Sequence, residues 1–232
     1  MRYNEFCKKY KPTSKQLFGE FFNLFKDEFS IKNQRLAVEK LEKIINSTFE
    51  LSLYQSFANM SLRQLSQVSG ISMGGLYAYI QNKEHLSSLI NQFLNTYVFQ
   101  IIEAVEKDLG QYSLQSFIKI HVYISDILQP WFFFVFMESK NMSKAHRTNA
   151  ISSELKVESR LLEIIKRGHK QGLYNKNLSA KTTAALIKPL FHEWYLKRWK
   201  YRKRKISIEQ YCENVIIFIE QGLLPQNNDL KA

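Results

Sequence analysis

Residues 61–86 read SLRQLSQVSGISMGGLYAYIQNKEHL, and their punctuation decides the fold. Ser61 with Gln64 three positions on is a capping box, in which each side chain satisfies a backbone N–H that the first helical turn leaves open. The helix it opens is about two turns long, with Leu62, Leu65 and Val68 on its apolar side. Gly70 stands where a left-handed residue stops a helix. Ser72 caps a second short helix carrying Leu76, Tyr77 and Ile80. Asn82 caps a third, with Glu84 in a first turn that favours acids. Two short helices joined by a turn of about three residues, directly after a longer helix, make a helix-turn-helix, whose second helix offers one face to a groove.

Upstream, Leu41, Ile44, Ile45, Thr48, Phe49 and Leu53 follow helical spacing from Leu36 to about Leu53. Before that, Lys15 to Phe29 carries Leu17, Phe18, Phe21, Phe22, Leu24, Phe25 and Phe29 on one broad stripe. Such a stripe is expected to dock on the protein's own body; the alternative is a helix for a partner or a membrane surface. Downstream the expected helices cover 82–109, 114–128, 131–140, 151–171, 179–202 and 207–221, with stops at Gly110, Gly172 and Gly222 and Pro225 beyond the last. The expected class is all-α. The expected division is an extension at 1–33, a helix-turn-helix domain at 34–86, a larger helical domain at 87–225 and a tail at 226–232, with the boundary inside a shared helix.

Composition agrees. The 232 residues are 45% hydrophobic and hold only 8 Gly and 4 Pro, which suits long helices around an ordinary core. The net charge of +12 points to nucleic acid, an anionic surface or anionic ligands. It does not single out the helix-turn-helix, since residues 87–232 carry 21 Lys/Arg against 13 Asp/Glu and the run KRWKYRKRK at 197–205 alone supplies seven cations. That run is expected to be a solvated helix end, where cations suit the dipole; a second nucleic-acid contact and a phosphate grip are the alternatives. Cys7 and Cys212 read as reduced thiols of a cytoplasmic protein, and the first residues lack a signal-peptide core. The stretch 120–137 is too polar and broken for a membrane span, so a membrane partner is not expected. The five histidines and two cysteines show neither metal spacing nor a nucleophile motif, and no glycine-rich phosphate loop follows a strand. No enzyme activity, cofactor or metal is expected.

Residues 44–86 resemble the DNA-binding domain of the tetracycline-repressor (TetR/AcrR) family. Gly70-Ile71-Ser72, Gly74, Leu76-Tyr77, Tyr79 and Lys83-Glu84 stand in one register with the family pattern, while Ser56, Met60, Ser66 and Ile80 depart from it at turn, cap and core positions. The rest is similar only in plan, with Arg167 to Gly172 like a frequent turn before the last two helices. The resemblance implies a regulator binding operator DNA. By position, Met73, Gly75 and Ala78 are expected to face base edges, Tyr77 and Tyr79 to meet phosphate or sugar, and Lys83 to bind phosphate beside backbone N–H groups. Ser61 and Arg63 are expected to reach phosphate or base, and Ser72 and Gly74 complete the set. Gly75 replaces a residue that often carries a base-reading side chain. Adjacent glycines cost about 1 kcal/mol each in helix propensity, so either the helix backbone approaches DNA closely or it packs tightly against the helix at 62–68.

The resemblance also implies a homodimer joined by the last two helices and one effector pocket per subunit. Leu190, Phe191, Trp194, Tyr195, Val215, Phe218 and Ile219 are the interface candidates. An aromatic-rich set suggests an apolar cavity with few polar anchors: Phe93, Tyr97, Phe117, His121, Tyr123, Ile124, Trp131, Phe134, Met137, Glu138 and His192. An elongated, fatty-acyl-like effector would suit it. The family pattern favours repression relieved by ligand; the rival is a DNA-bound or membrane-associated adaptor acting through the N-terminal helix and the basic run without an effector.

Overall fold

The computed structural model describes residues 1–110, 112–138 and 144–224, and no strand occurs among them. The helices are α1 (Tyr3–Tyr10), α2 (Ser14–Phe25), α3 (Gln34–Tyr54), α4 (Leu62–Ser69), α5 (Met73–Tyr77), α6 (Lys83–Leu109), α7 (Leu114–Ile127), α8 (Gln129–Glu138), α9 (Lys144–Lys170), α10 (Ala180–Leu196), α11 (Arg198–Lys203) and α12 (Ile208–Leu223), with a 3-10 turn at Phe57–Asn59. Local chemistry sets most starts. Thr13 with Gln16, Ser61 with Gln64 and Ser207 with Gln210 form capping boxes, and Asn33, Ser72 and Ser179 cap with their side chains alone.

The chain gathers into two compact units: residues 10–99 with 130–150, and residues 1–9 and 100–129 with 151 onward. This differs from the expected division, because α8 joins the helix-turn-helix while the first nine residues join the other unit. The first unit has an aromatic core. The buried Phe21 meets Phe25, Phe93 and Trp131 with ring centroids 5.0, 5.1 and 6.0 Å away, and Phe49 meets Trp131 and Phe134 at 5.2 and 5.5 Å. Such pairs add about 0.5–1.5 kcal/mol each beyond area burial. The apolar stripe of α2 is therefore self-docked, with Phe18, Phe21, Phe22 and Phe25 all buried.

In the second unit α7 packs against α10 and α12. Asp126, buried on α7, is satisfied by three donors: the Tyr3 hydroxyl (2.5 Å), the Trp194 indole N–H (3.0 Å) and the Arg198 guanidinium (3.0 Å). α1, which the sequence did not announce, docks here through the fully buried Phe6 against Tyr123 and through Lys9 with Asp108. Burial, and then the hydrogen bond to Asp126, raise the Tyr3 phenol well above its usual range.

The helix expected over 179–202 breaks at Lys197, which leaves the helical conformation with φ −121° and ψ 30°. No glycine marks the break. It lets Arg198 reach Asp126 and Tyr201 lay its ring against both Trp194 and Tyr211, at 5.5 and 4.8 Å. α9 begins at Lys144 rather than 151, and Val68, expected on the apolar side of α4, is exposed. The expected tail at 226–232 and the approach to Lys140 lie outside the described residues.

Candidate nucleic-acid interface

The helix-turn-helix assembles from short-range contacts. The Ser61 hydroxyl accepts the Gln64 backbone N–H at 3.2 Å, while the Gln64 side-chain Oε1 accepts the Ser61 backbone N–H at 2.8 Å. Gly70 ends α4 in the left-handed region at φ 66°, a conformation that costs other residues but not glycine. The Ser66 hydroxyl donates to the Ile71 carbonyl at 2.6 Å, tying the turn to α4. Ser72 then caps α5 by accepting the Gly75 N–H at 3.2 Å. Leu65, Ile71, Leu76 and Ile80 point into the core, so Ser61, Arg63, Ser72, Gly74 and Tyr77 stand on the exposed side, with Met73, Gly75 and Ala78 half-buried beside them.

The two glycines have different roles. A Cβ on Gly75 would meet Ile71 Cγ2 at 2.9 Å and the Ser72 hydroxyl at 3.2 Å, so packing of the turn excludes a side chain there. A Cβ on Gly74 meets nothing within 4 Å. The free protein thus leaves room at Gly74 for a side chain that the sequence does not supply.

Two expected contacts are placed differently. Tyr79 is buried, 3% exposed, with its ring edge-on to Phe29 at 5.6 Å, and desolvation raises its phenol. Its expected role at phosphate or sugar is therefore replaced by core packing. Lys83 opens α6, and its ammonium donates to the Ala58 carbonyl at 2.5 Å above the Phe57 ring. A phosphate would take up an ammonium already held at that edge of the unit. Sequence reasoning missed residues 28–30, which buttress the recognition helix. Ser30 N–H donates to the Ala78 carbonyl at 3.0 Å, Phe29 packs on Tyr79, and Glu28 lies 2.8 Å from His85 Nε2. The only signal was the end of the phenylalanine stripe, which does not name its partner.

The pocket candidates divide between the two units. Phe93, Tyr97, Trp131, Phe134 and Glu138 lie in the unit of the helix-turn-helix, where Phe18 and Phe21 pack against Trp131 and the Glu138 carboxylate accepts the Phe57 N–H at 3.2 Å. Met137 is exposed. Phe117, His121, Tyr123, Ile124 and His192 lie in the other unit. There His121 stacks on Phe191 at 4.4 Å, and burial, then the charge of Lys188, hold its imidazole well below 6.5. Among the interface candidates, Phe191, Trp194, Tyr195, Val215 and Ile219 are buried within the chain itself, because α10 and α12 turn these faces to α7 and to each other's aromatic cluster. Phe218 is exposed and Leu190 half-buried; Leu186 and Ile217 are further exposed apolar positions on the same two helices.

The basic run also divides. Lys197 and Lys200 pair with Glu193 and Arg198 with Asp126, while Arg202, Lys203, Arg204 and Lys205 face solvent. Among the described residues no His/Cys/Asp/Glu cluster could hold a metal ion, and no single helix is long and apolar enough to cross a membrane.

No family model and no curated protein matches the chain. Solved structures do. The TetR-family regulator PfmR from Thermus thermophilus is 19% identical, covering 78% of this chain and 99% of its own at a TM-score of 0.64. The ketosteroid transcriptional regulator KstR2 of Mycobacterium tuberculosis is 11% identical, covering 79% and 94% at 0.68. The transcriptional regulator FadR from Bacillus subtilis, solved in complex with stearoyl-CoA, is 17% identical, covering 78% and 98% at 0.59. These likenesses run over nearly the whole length of the matched chains: the protein has the fold of the TetR-family transcriptional regulators.

Proposed function

We propose that the protein is a ligand-responsive transcriptional regulator that binds operator DNA as a homodimer and is released from it by a small, largely apolar effector. The observation that carries the reading is the recognition helix itself. α5 is capped and buttressed so that Leu76 is buried while Ser72, Gly74 and Tyr77 stand outward, with Ser61 and Arg63 on the neighbouring helix. This is the arrangement a helix needs to enter a major groove while its partner crosses the backbone. Few side chains there can read bases by charge, so part of the specificity is expected from DNA shape.

One recognition helix gives little affinity, and two half-sites add. The exposed Leu186, Ile217 and Phe218 offer α10 and α12 an apolar surface for a second copy. The complex of the FadR neighbour with stearoyl-CoA supports a small-molecule effector for this fold. Repression relieved by ligand follows if effector binding alters the spacing of the two recognition helices. The adaptor alternative loses its main support, since the apolar stripe of α2 is buried in the protein's own core.

The test is binding of the purified protein to its own promoter region against random DNA, as a salt series. Selective binding as a dimer is expected. Weak, unselective binding overturns the regulator reading. Phe218→Glu is expected to give monomers in sedimentation and to lose operator binding.

A further inference from the structure

Lys188, on α10, is the one buried Lys or Arg among the described residues, with its side chain 6% exposed. Burying an ammonium costs several kcal/mol unless an anion and hydrogen bonds accompany it. The anion is Glu154 of α9, whose Oε2 lies 2.8 Å from Lys188 Nζ. His192, one turn along α10, places Nε2 3.1 Å from Glu154 Oε1 and 3.2 Å from Lys188 Nζ. Behind them stand apolar and aromatic groups: Phe191, the His121 ring stacked on it, and Tyr195, whose centroid is 5.9 Å from that of His192.

The members of this cluster differ in access to water. The Lys188 and His192 side chains are 6% and 18% exposed, whereas Glu154 is 47% exposed. The cationic part is fixed in the interior, and the carboxylate reaches it from the surface. Burial alone would raise the Glu154 carboxyl, but His192 and Lys188 bring it down to about 2, so the cluster holds an ionised carboxylate at neutral pH.

We infer that Lys188 and His192 form the head-group site for an effector bearing a carboxylate, which takes the place of the Glu154 carboxylate while its apolar remainder lies among Phe117, Phe191 and Tyr195. The exchange conserves charge: one carboxylate leaves the ammonium as another arrives, and the buried cation keeps a counter-ion throughout. Glu154, already half in water, needs only a side-chain rotation to leave. An alcohol of equal length brings no charge, and an amine brings the wrong one. The inference deepens the effector reading above and rests on it for any consequence at DNA; binding itself is read on the protein alone.

The experiment compares full-length wild type, Glu154→Ala and the double variant Glu154→Ala with Lys188→Met. The double variant removes both charges and so avoids leaving one unpaired. Octanoate, 1-octanol and acetate are titrated by calorimetry and thermal melting. Octanoate is expected to bind wild type, and about tenfold more tightly once the competing Glu154 carboxylate is removed. Acetate is expected to raise the melting temperature of Glu154→Ala saturably and more than chloride does, and to have no such effect on the double variant. 1-Octanol is expected to bind none of them measurably. The inference is overturned if octanol matches octanoate, if the double variant binds carboxylates as Glu154→Ala does, or if no carboxylate binds Glu154→Ala. Operator binding is measured separately. Protein that binds octanoate but no DNA overturns the regulator reading and leaves the site standing; protein that binds its operator but no carboxylate overturns the site alone.

Discussion

The helix-turn-helix and the Lys188 cluster are built on opposite principles. In the first, the Ser61–Gln64 box, the Gly70 stop and the Ser72 cap are contacts across three or fewer residues. In the second, Glu154 meets partners more than 30 residues along the chain, and His121 arrives from another helix again. Contacts of the first kind are set by the residues that make them; those of the second exist only once helices have packed. The same contrast holds between exposed and buried charge. The recognition region carries few cations and keeps them at its edge, whereas the other unit places a lysine and an aspartate in its interior and surrounds each with partners.

The largest effect should come from breaking a contact of the second kind. Asp126→Ala strips the partner from Arg198, Trp194 and Tyr3 at once and is expected to cost about 3–5 kcal/mol in urea unfolding, as losing one partner of a buried charge network does. A cost below about 1 kcal/mol would mean that water replaces the carboxylate.

Next comes Gly74→Ala, which separates stability from recognition. The free protein has room for the methyl, so stability should hold or rise by up to about 1 kcal/mol, while operator affinity falls about tenfold if DNA approaches that backbone. Unchanged affinity would leave the open space at Gly74 without a role in recognition. Ser61→Ala removes a local cap and should cost about 1 kcal/mol, read by hydrogen exchange in α4. Lys83→Ala should weaken binding to all sequences alike and flatten the salt slope by about one unit; an unchanged slope removes Lys83 from the phosphate contacts.

The last effect is read in acid and concerns Glu154. Its carboxyl titrates near 2 in the folded chain against 4.5 unperturbed, so the unfolded chain binds the proton first as pH falls. Its contribution is complete above about pH 4.5 and lost toward pH 2, and Glu154→Gln should flatten that part of an acid-denaturation curve.

The all-helical class, the helix-turn-helix and most helix starts were legible because caps and stops act locally. Tyr79 was not: the resemblance implies a ring at phosphate or sugar, whereas Phe29, fifty residues earlier, packs against it. The break at Lys197 carries no glycine or proline, since it serves Arg198 and Tyr201, whose partners lie elsewhere in the chain. Aromatic residues that read as one cavity wall fall into two units because composition records how apolar a segment is, not which helix it meets. Likewise the apolar spacing of Phe191 and Trp194 does not say that α7, through His121 and Asp126, already covers them.

The recognition helix leans on Phe29 and Ser30, and its unit includes Trp131, Phe134 and Glu138 from beyond α7. The helix-turn-helix is therefore not a cassette. A fragment cut at residues 34–86 would keep every helix-turn-helix motif legible in the sequence yet lose the groups that hold Tyr79 and Phe57 in place, and grafting those residues onto another protein would transplant the exposed face of the motif without its foundation.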